Sequence, residues 1–380
     1  MVTKVPYAYT WDVVGDPAAA ERIASLGVDA VALAASYHTT RAATPFHPQH
    51  RMVNAAHAAC YVPVRESAWT GRLTPPAPNW APGDSFGEAR KALRSAGLPV
   101  HAWTVLTHST HLGSANPDLL VRNAFGDLYP YALCPSNEDV VEYCSTLVRE
   151  VVTLGEPEGV ILEACGPLGF FHGGHHEKTD GADWGKVHQQ LLSLCFCSGC
   201  LARYAKADID ASQLRAVAMS TVDGQAPSTV EDALGGVAER VRDVRTGIAA
   251  DLRSLLVKEI RALAPEAAIS VHGNPDPWAA GPFATIAPAL NEEIDTVVVS
   301  CWPGPEASIP GIEAARAIAG ADRGLAAYVL TLPPRAADAD TLRAEFEQYL
   351  AAGVDELHVY HAGLASPARL TAVREALSSL

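Results

Sequence analysis

At 380 residues, 48% hydrophobic and 19% charged, the chain is long enough for one large α/β core of barrel size or for two ordinary domains. Lys+Arg 28 against Asp+Glu 43 leaves a net charge of -15, which repels phosphate backbones and anionic lipid, so nucleic acid and membrane surfaces are excluded as expected partners and a small neutral or cationic ligand is favoured. The opening segment Met1–Tyr9 lacks the apolar core of a secretion signal, and no uncharged apolar run nears the roughly 20 residues of a membrane span, so a soluble, cytoplasmic protein is expected.

Short β-rich apolar runs alternate with amphipathic stretches along the chain, the rhythm of βα units around a parallel sheet. The first run, Val5–Trp11, ends in Tyr9, Thr10, Trp11 and Asp12, and Asp16 then opens a helix over Pro17–Leu26. The second, Ala30–Ser36, ends in Tyr37 and His38. Residues Tyr37–Ser85 exceed what a minimal βα unit needs; their Pro, His and Trp content, through Pro45, Phe46, His47, Pro48 and Trp69 to Trp80, predicts an ordered, irregular lid. A helix over Phe86–Ser95, entered from Ser85, precedes the third run, Val100–Leu106, which ends in Thr107 and His108 with His111 beyond. The fourth, Gly159–Glu163, stops on a carboxylate. A second long stretch, Cys165–Asp243, follows it, carrying a cysteine-rich run and a Ser/Asp/Ala-rich helical excursion over Asp208–Leu234. The fifth run, Ala268–His272, leads into Gly273, Asn274, Pro275 and Asp276. The sixth, Thr296–Cys301, meets Trp302; the seventh is Gly324–Leu330; the eighth, Glu356–His361, carries Tyr360 and His361. Helices over Ala339–Ala352, entered from Asp338 and stopped at Gly353, and over Pro367–Leu380 complete the pattern.

Eight strand–helix repeats predict a (β/α)8 TIM barrel, one domain over residues 1–380, with insertions over 37–85 and 165–243 that roof the C-terminal mouth. A doubly wound open sheet is the runner-up, but no G-x-G-x-x-G follows the first strand and no phosphate loop of the Walker kind occurs.

Two features carry chemistry. Cys195-Phe196-Cys197-Ser198-Gly199-Cys200 is too tight for mutual disulfides but suits thiolates fanned around one tetrahedral ion, and Cys134 waits upstream in Leu133–Asn137, so a structural zinc is expected. Cys60, Cys144, Cys165 and Cys301 read as reduced, buried thiols. The second feature is the set of polar strand ends. Tyr37, His38, His108, His272, Trp302, Tyr360 and His361 are candidate substrate contacts, each with the bland alternative of a satisfied core polar group. Glu163 stands apart, because an apolar run that buries a carboxylate without purpose is costly.

The order Cys134-Pro135-Ser136-Asn137, a strand-four carboxylate, then Cys195–Cys200 followed by Leu201, Ala202, Arg203 and Tyr204 resembles the zinc-bearing β-galactosidase-like barrels of glycoside hydrolase family 42. The resemblance implies that Cys134, Cys195, Cys197 and Cys200 hold a structural zinc and that Glu163 is the acid/base acting on a small carbohydrate-like substrate. The chain departs from that pattern at Leu162, where the family has Asn, and at the seventh strand, Tyr328 to Pro334, which lacks the family's second carboxylate. Asp12, Asp276 and Glu306 are the stand-ins. Asp276 is favoured, since it follows His272 and precedes Trp278, a ring suited to stacking on sugar. A metal-dependent hydrolase, isomerase or lyase using His38, His108, His272, His361 and Glu163 is a second reading, and a non-catalytic carbohydrate-binding barrel a third. His172, His175 and His176 lie on a Gly-rich loop and either close over the pocket or stay solvated. Oligomeric state is left open, a homo-oligomer included.

Overall fold

The computed structural model describes residues 2–80, 83–172 and 177–380. Eight parallel strands, Thr3–Ala8, Val31–Tyr37, Val100–Val105, Gly159–Glu163, Ala268–Asn274, Thr296–Ser300, Gly324–Leu330 and Glu356–Tyr360, form the expected barrel. It closes because the first strand pairs on one side with the eighth, Thr3 opposite Glu356 and Pro6 opposite Val359, and on the other with the second, Tyr7 opposite Ala32. The second strand is buried at all seven positions, as a strand covered on both faces must be.

Outer helices follow seven of the eight strands: Ala19–Ala24, Ser85–Ser95, Glu138–Gly155, Ala238–Leu263, Pro305–Ala319, Ala339–Ala351 and Pro367–Ser378. The fifth repeat differs from expectation. Between the fifth and sixth strands the chain makes no helix; a short strand, Ala284–Thr285, lies parallel to the end of the fifth instead, Gly273 opposite Ala284. Fully buried Arg253, from the helix Ala238–Leu263, reaches into this connection, donating to Thr285 O at 3.1 Å and pairing with Glu292 at 3.1 Å.

Local chemistry explains other boundaries. The first strand ends at Ala8, short of Trp11, because Asp12 Oδ2 accepts the Tyr9 N–H at 2.8 Å and Thr10–Asp12 turn as a 3-10 helix. Asp84, and not Ser85, caps the second outer helix by accepting from Gly87 N, while Asp338 caps the sixth as expected.

Three elaborations sit on the mouth. The stretch after the second strand folds a ribbon, Thr40–Ala43 with Met52–Ala55, and lays Ala59–Cys60 antiparallel on the strand itself. The stretch after the fourth carries helices Lys186–Leu192, Ser198–Lys206, Ala211–Val222 and Val230–Leu234. A third elaboration, after the third strand, holds a helix, Thr110–Ala115, and a ribbon, Leu120–Arg122 with Leu128–Leu133, that delivers Cys134. Among the described residues, no helix is long and apolar enough to cross a membrane.

Candidate active site

Glu163 is the last residue of the fourth strand, flanked by the third, where Val105 lies opposite it, and the fifth. Each neighbour sends one side chain to its carboxylate. Trp103 Nε1 donates to Oε2 at 2.6 Å, and His272 Nδ1 lies 3.2 Å from the same oxygen, within reach but off the axis of a hydrogen bond. The backbone beyond is bent sharply: Ala164 takes a left-handed φ of 54°, held by its N–H to Pro282 O at 2.8 Å and by Thr107 Oγ1, which donates to the carbonyls of Ala164 and Gly166. A non-glycine residue in that region persists only where its surroundings over-determine it, and here the turn fixes where the carboxyl group points.

Rings continue around the mouth. Tyr9 donates to Tyr37 Oη at 3.1 Å and lies 3.1 Å from Tyr360 Oη, with its face on Trp11 and His361, both at 4.3 Å between centroids. Tyr37 stacks on His38 at 4.1 Å, His38 on His108 at 4.4 Å, and His108 Nε2 meets His172 Nε2 at 2.9 Å. His172 stacks on Tyr131 at 4.0 Å and reaches Glu177 at 2.8 Å. Trp302, 39% exposed, completes the arc beside Tyr360 at 5.0 Å. The substrate-contact candidates Tyr37, His38, His108, Trp302, Tyr360 and His361 thus belong to one connected wall.

Desolvation sets the charge of that wall. Burial lowers His38, His108 and His272 below the usual imidazole range and takes His361 down to about 3, while it raises the phenols of Tyr9, Tyr37, Tyr328 and Tyr360. At neutral pH those imidazoles and phenols are therefore uncharged, a set of stacking faces and neutral hydrogen-bonding groups. His361 Nδ1 accepts from Gly363 N at 3.1 Å, which leaves its proton on Nε2, a buried atom with no protein partner.

The three stand-in carboxylates fare differently. Asp12 is buried, anchored through Oδ2, and free at Oδ1; burial raises it to about 7, against the Tyr9 N–H and Arg22. Asp276 is engaged elsewhere, accepting from Gln190 at 2.9 Å and Trp278 N at 2.9 Å and pairing with Lys186 at 2.8 Å on the strand-four insertion. Trp278 is buried with its indole N–H on Glu231, so it offers no open stacking face, contrary to the sequence expectation. Glu306 is exposed in the first turn of Pro305–Ala319. Of the loop histidines, His172 joins the wall, whereas His175 and His176 lie outside the described residues.

Cys134, Cys195, Cys197 and Cys200 converge, all buried, with their sulfurs within 4.8 Å of one another. They are free thiols, Cys134 and Cys200 being 3.6 Å apart at sulfur. Arg122 N and Cys197 N each point at Cys195 Sγ at 3.4 Å, and Asn137 Nδ2 at Cys197 Sγ at 3.8 Å. N–H groups aimed at sulfur favour thiolates, and four of them at one point fit a structural metal. Among the described residues no other group converges in this way; His38, His108, His272, His361 and Glu163 do not.

Sequence reasoning passed over Trp103, Tyr7, Tyr9, Tyr131, Tyr328 and His358 as site residues. The available signal was period two: Tyr7 with Tyr9, and His358 with Tyr360, each alternate along a strand and so share one face.

The sequence matches no family model and no curated protein. Its fold does match solved structures. The PgaB (BpsB) glycoside hydrolase domain from Bordetella bronchiseptica superposes with a TM-score of 0.63 at 15% identity, over 98% of this chain and 98% of that one. The catalytic domain of β-amylase from Paenibacillus polymyxa gives 0.57 at 11%, over 99% and 98%. A family 42 β-galactosidase from G. stearothermophilus gives 0.57 at 10%, over 100% of this chain and 56% of that one. The chain thus spans about half the length of that galactosidase, and 49% of an α-L-fucosidase from Paenibacillus thiaminolyticus matched at 0.59 and 13% identity. The likeness is to glycoside-hydrolase barrels, and at these identities it is a likeness of fold.

Proposed function

We propose that the chain is a glycosidase-type barrel enzyme in which Glu163 protonates the leaving oxygen of a small glycoside or sugar-like metabolite, with zinc as the structural metal of the four-cysteine site. The observation that carries this reading is the setting of Glu163: a carboxyl group at the end of the fourth strand, gripped by Trp103 and His272 and surrounded by a wall of rings. Aromatic faces stack on the C–H patches of a sugar, and neutral imidazoles and phenols bond its hydroxyls, so the wall suits a polyol better than an ion. The net charge of -15 points the same way, away from anionic substrates.

Asp12 is the second carboxylate in this reading, in place of Asp276. Its free, buried Oδ1 and a pKa raised by burial to about 7 suit acid/base work, and both it and Glu163 act electrostatically on the phenol of Tyr360. Asp276 holds the insertion to the mouth by its three partners.

The test uses alkyl glycosides, whose leaving oxygen needs a proton, beside nitrophenyl glycosides, whose leaving group does not. Glu163→Gln lowers kcat/KM on the alkyl series by about 10²–10⁴ and on the nitrophenyl series far less. Undiminished turnover of an alkyl glycoside by that variant retires Glu163 as the acid.

A further inference from the structure

Each strand of the closed barrel pairs with its neighbours in chain order, so the second and sixth strands stand on opposite sides of the mouth and the fourth, which ends in Glu163, lies midway between them. Rings are left accessible on both sides. At the end of the sixth strand, Trp302 lies over Tyr328, with ring planes 22° apart and centroids 5.7 Å apart, and is 39% exposed. Its backbone is fixed from behind, where Arg335 Nη2 donates to the Trp302 carbonyl at 3.0 Å.

The side of the second and third strands is built differently. Both faces of His38 are covered, by Tyr37 at 4.1 Å and by His108 at 4.4 Å, so a ligand meets only its edge. His38 Nδ1 must donate to the Thr39 carbonyl at 2.9 Å, which leaves Nε2 as an acceptor for a hydroxyl. Beyond this edge stands Phe171, 62% exposed, beside His172, whose ring meets His108 and stacks on Tyr131 at 4.0 Å. The loop that carries Phe171 is tied down: Tyr131 Oη donates to Gly169 O at 2.6 Å, Phe170 N donates to Ser193 Oγ at 2.9 Å, and the Phe170 ring packs on Trp184 at 5.4 Å. Single exposed apolar side chains are ordinary. Two exposed aromatic rings on anchored backbone, on opposite sides of one carboxylate, are a built arrangement.

We propose that the substrate is a linear, uncharged oligosaccharide of at least three rings that crosses the mouth, one ring on Trp302, one beside Glu163, and one against Phe171 and the edge of His38. This rests on Glu163 acting on a glycosidic bond, and deepens that reading by making the sugar at Glu163 an inner unit of a chain. A lone glycoside beside Glu163 would leave both outer rings wet. A chain covers them, and stacking on its outer units supplies binding energy that holds the central bond against the carboxylate. The two sides differ in what they read. Trp302 offers a flat face to the C–H patch of a sugar, whereas the His38 edge accepts from a hydroxyl. Arg335, the cation behind Trp302, is engaged by that carbonyl and by Glu345 at 3.5 Å, so the platform favours neutral units over acidic ones.

Titration calorimetry on the full chain carrying Glu163→Gln, to slow turnover, reads this directly with cello-, xylo-, manno-, galacto- and N-acetylated chito-oligosaccharides of two to six units. In the series that fits, Kd falls by about tenfold or more between two and four units. Adding Trp302→Ala or Phe171→Ala returns the four-unit ligand to about the Kd of the two-unit one. Both side chains are exposed, so far-ultraviolet circular dichroism and Tm stay unchanged. A panel in which no member binds more tightly than its two-unit parent overturns the chain-length reading, and so does a gain with length that survives both substitutions. Turnover of alkyl glycosides by Glu163→Gln judges the acid, and the dependence of binding on length judges the chain, so failure of one is distinct from failure of the other.

Discussion

At the scale of the residue, two carboxylates near the mouth are handled in opposite ways. Glu163 is given an indole N–H and an imidazole, whereas Asp12 is buried with one oxygen unpaired beside Gly363, where a Cβ would fall 1.9 Å from Oδ2. Burial raises Asp12 from 3.8 to about 7, so the folded state binds its proton more tightly than the unfolded chain does. The stability this contributes is fully present below about pH 4 and is lost as pH rises through 7, a difference on the order of a few kcal/mol. Asp12→Asn keeps an oxygen for the Tyr9 N–H and removes the titration. Relative to the variant, the wild type's denaturant midpoint should therefore fall from pH 4 to pH 8, the histidines that titrate in that window being common to both. Parallel curves would show that Asp12 titrates normally. From sequence, Asp12 was legible as a candidate but its burial was not, since burial depends on the eighth strand's exit at Gly363, some 350 residues away.

At the scale of the element, the cysteine site is a clamp between two elaborations. Cys134 leaves the ribbon after the third strand, and Cys195, Cys197 and Cys200 open the helix Ser198–Lys206 in the insertion after the fourth. Gly199 lets the two approach, for a Cβ there would lie 2.4 Å from Ser136 O. The clamp brackets the strand that ends in Glu163, so metal loss should loosen the mouth while sparing the barrel. Metal analysis should find one zinc per chain; Cys197→Ser should abolish it and lower Tm by several degrees with little change in far-ultraviolet circular dichroism. Full metal content in the variant would exclude Cys197 as a ligand. The four-cysteine cluster was legible because three of its members lie within six residues of one another. The third elaboration, which delivers the fourth cysteine, was missed because its ribbon strands are short and carry weak periodicity.

At the scale of the whole molecule, the barrel lacks one of its eight outer helices and closes the gap with charge. Arg253 and Glu292, both buried, tie the helix Ala238–Leu263 to the connection between the fifth and sixth strands, and Ser254 adds a hydrogen bond at 2.8 Å. Removing one partner strands the other: Arg253→Met should cost about 3–5 kcal/mol in urea unfolding, and adding Glu292→Gln should recover part of it. Additive losses in the double variant would show the pair to be uncoupled. Eight strands and four of the outer helices, those at Ala19–Ala24, Ser85–Ser95, Ala339–Ala351 and Pro367–Ser378, were legible because amphipathic period and capping are local properties; the absent helix was not, because nothing local marks a loop stabilised by an arginine from another element. The parallel barrel, the clustered cysteines and a carboxylate at the end of the fourth strand were settled by sequence alone, all written in adjacent residues or in periodicity. Tertiary structure alone decided that Trp103 and His272 grip Glu163, that Asp276 belongs to the insertion, and that Tyr7 Oη meets His272 and His358 inside the barrel. Those contacts join strands far apart in the chain, and which inward-facing rings meet is set by the closure and register of the barrel.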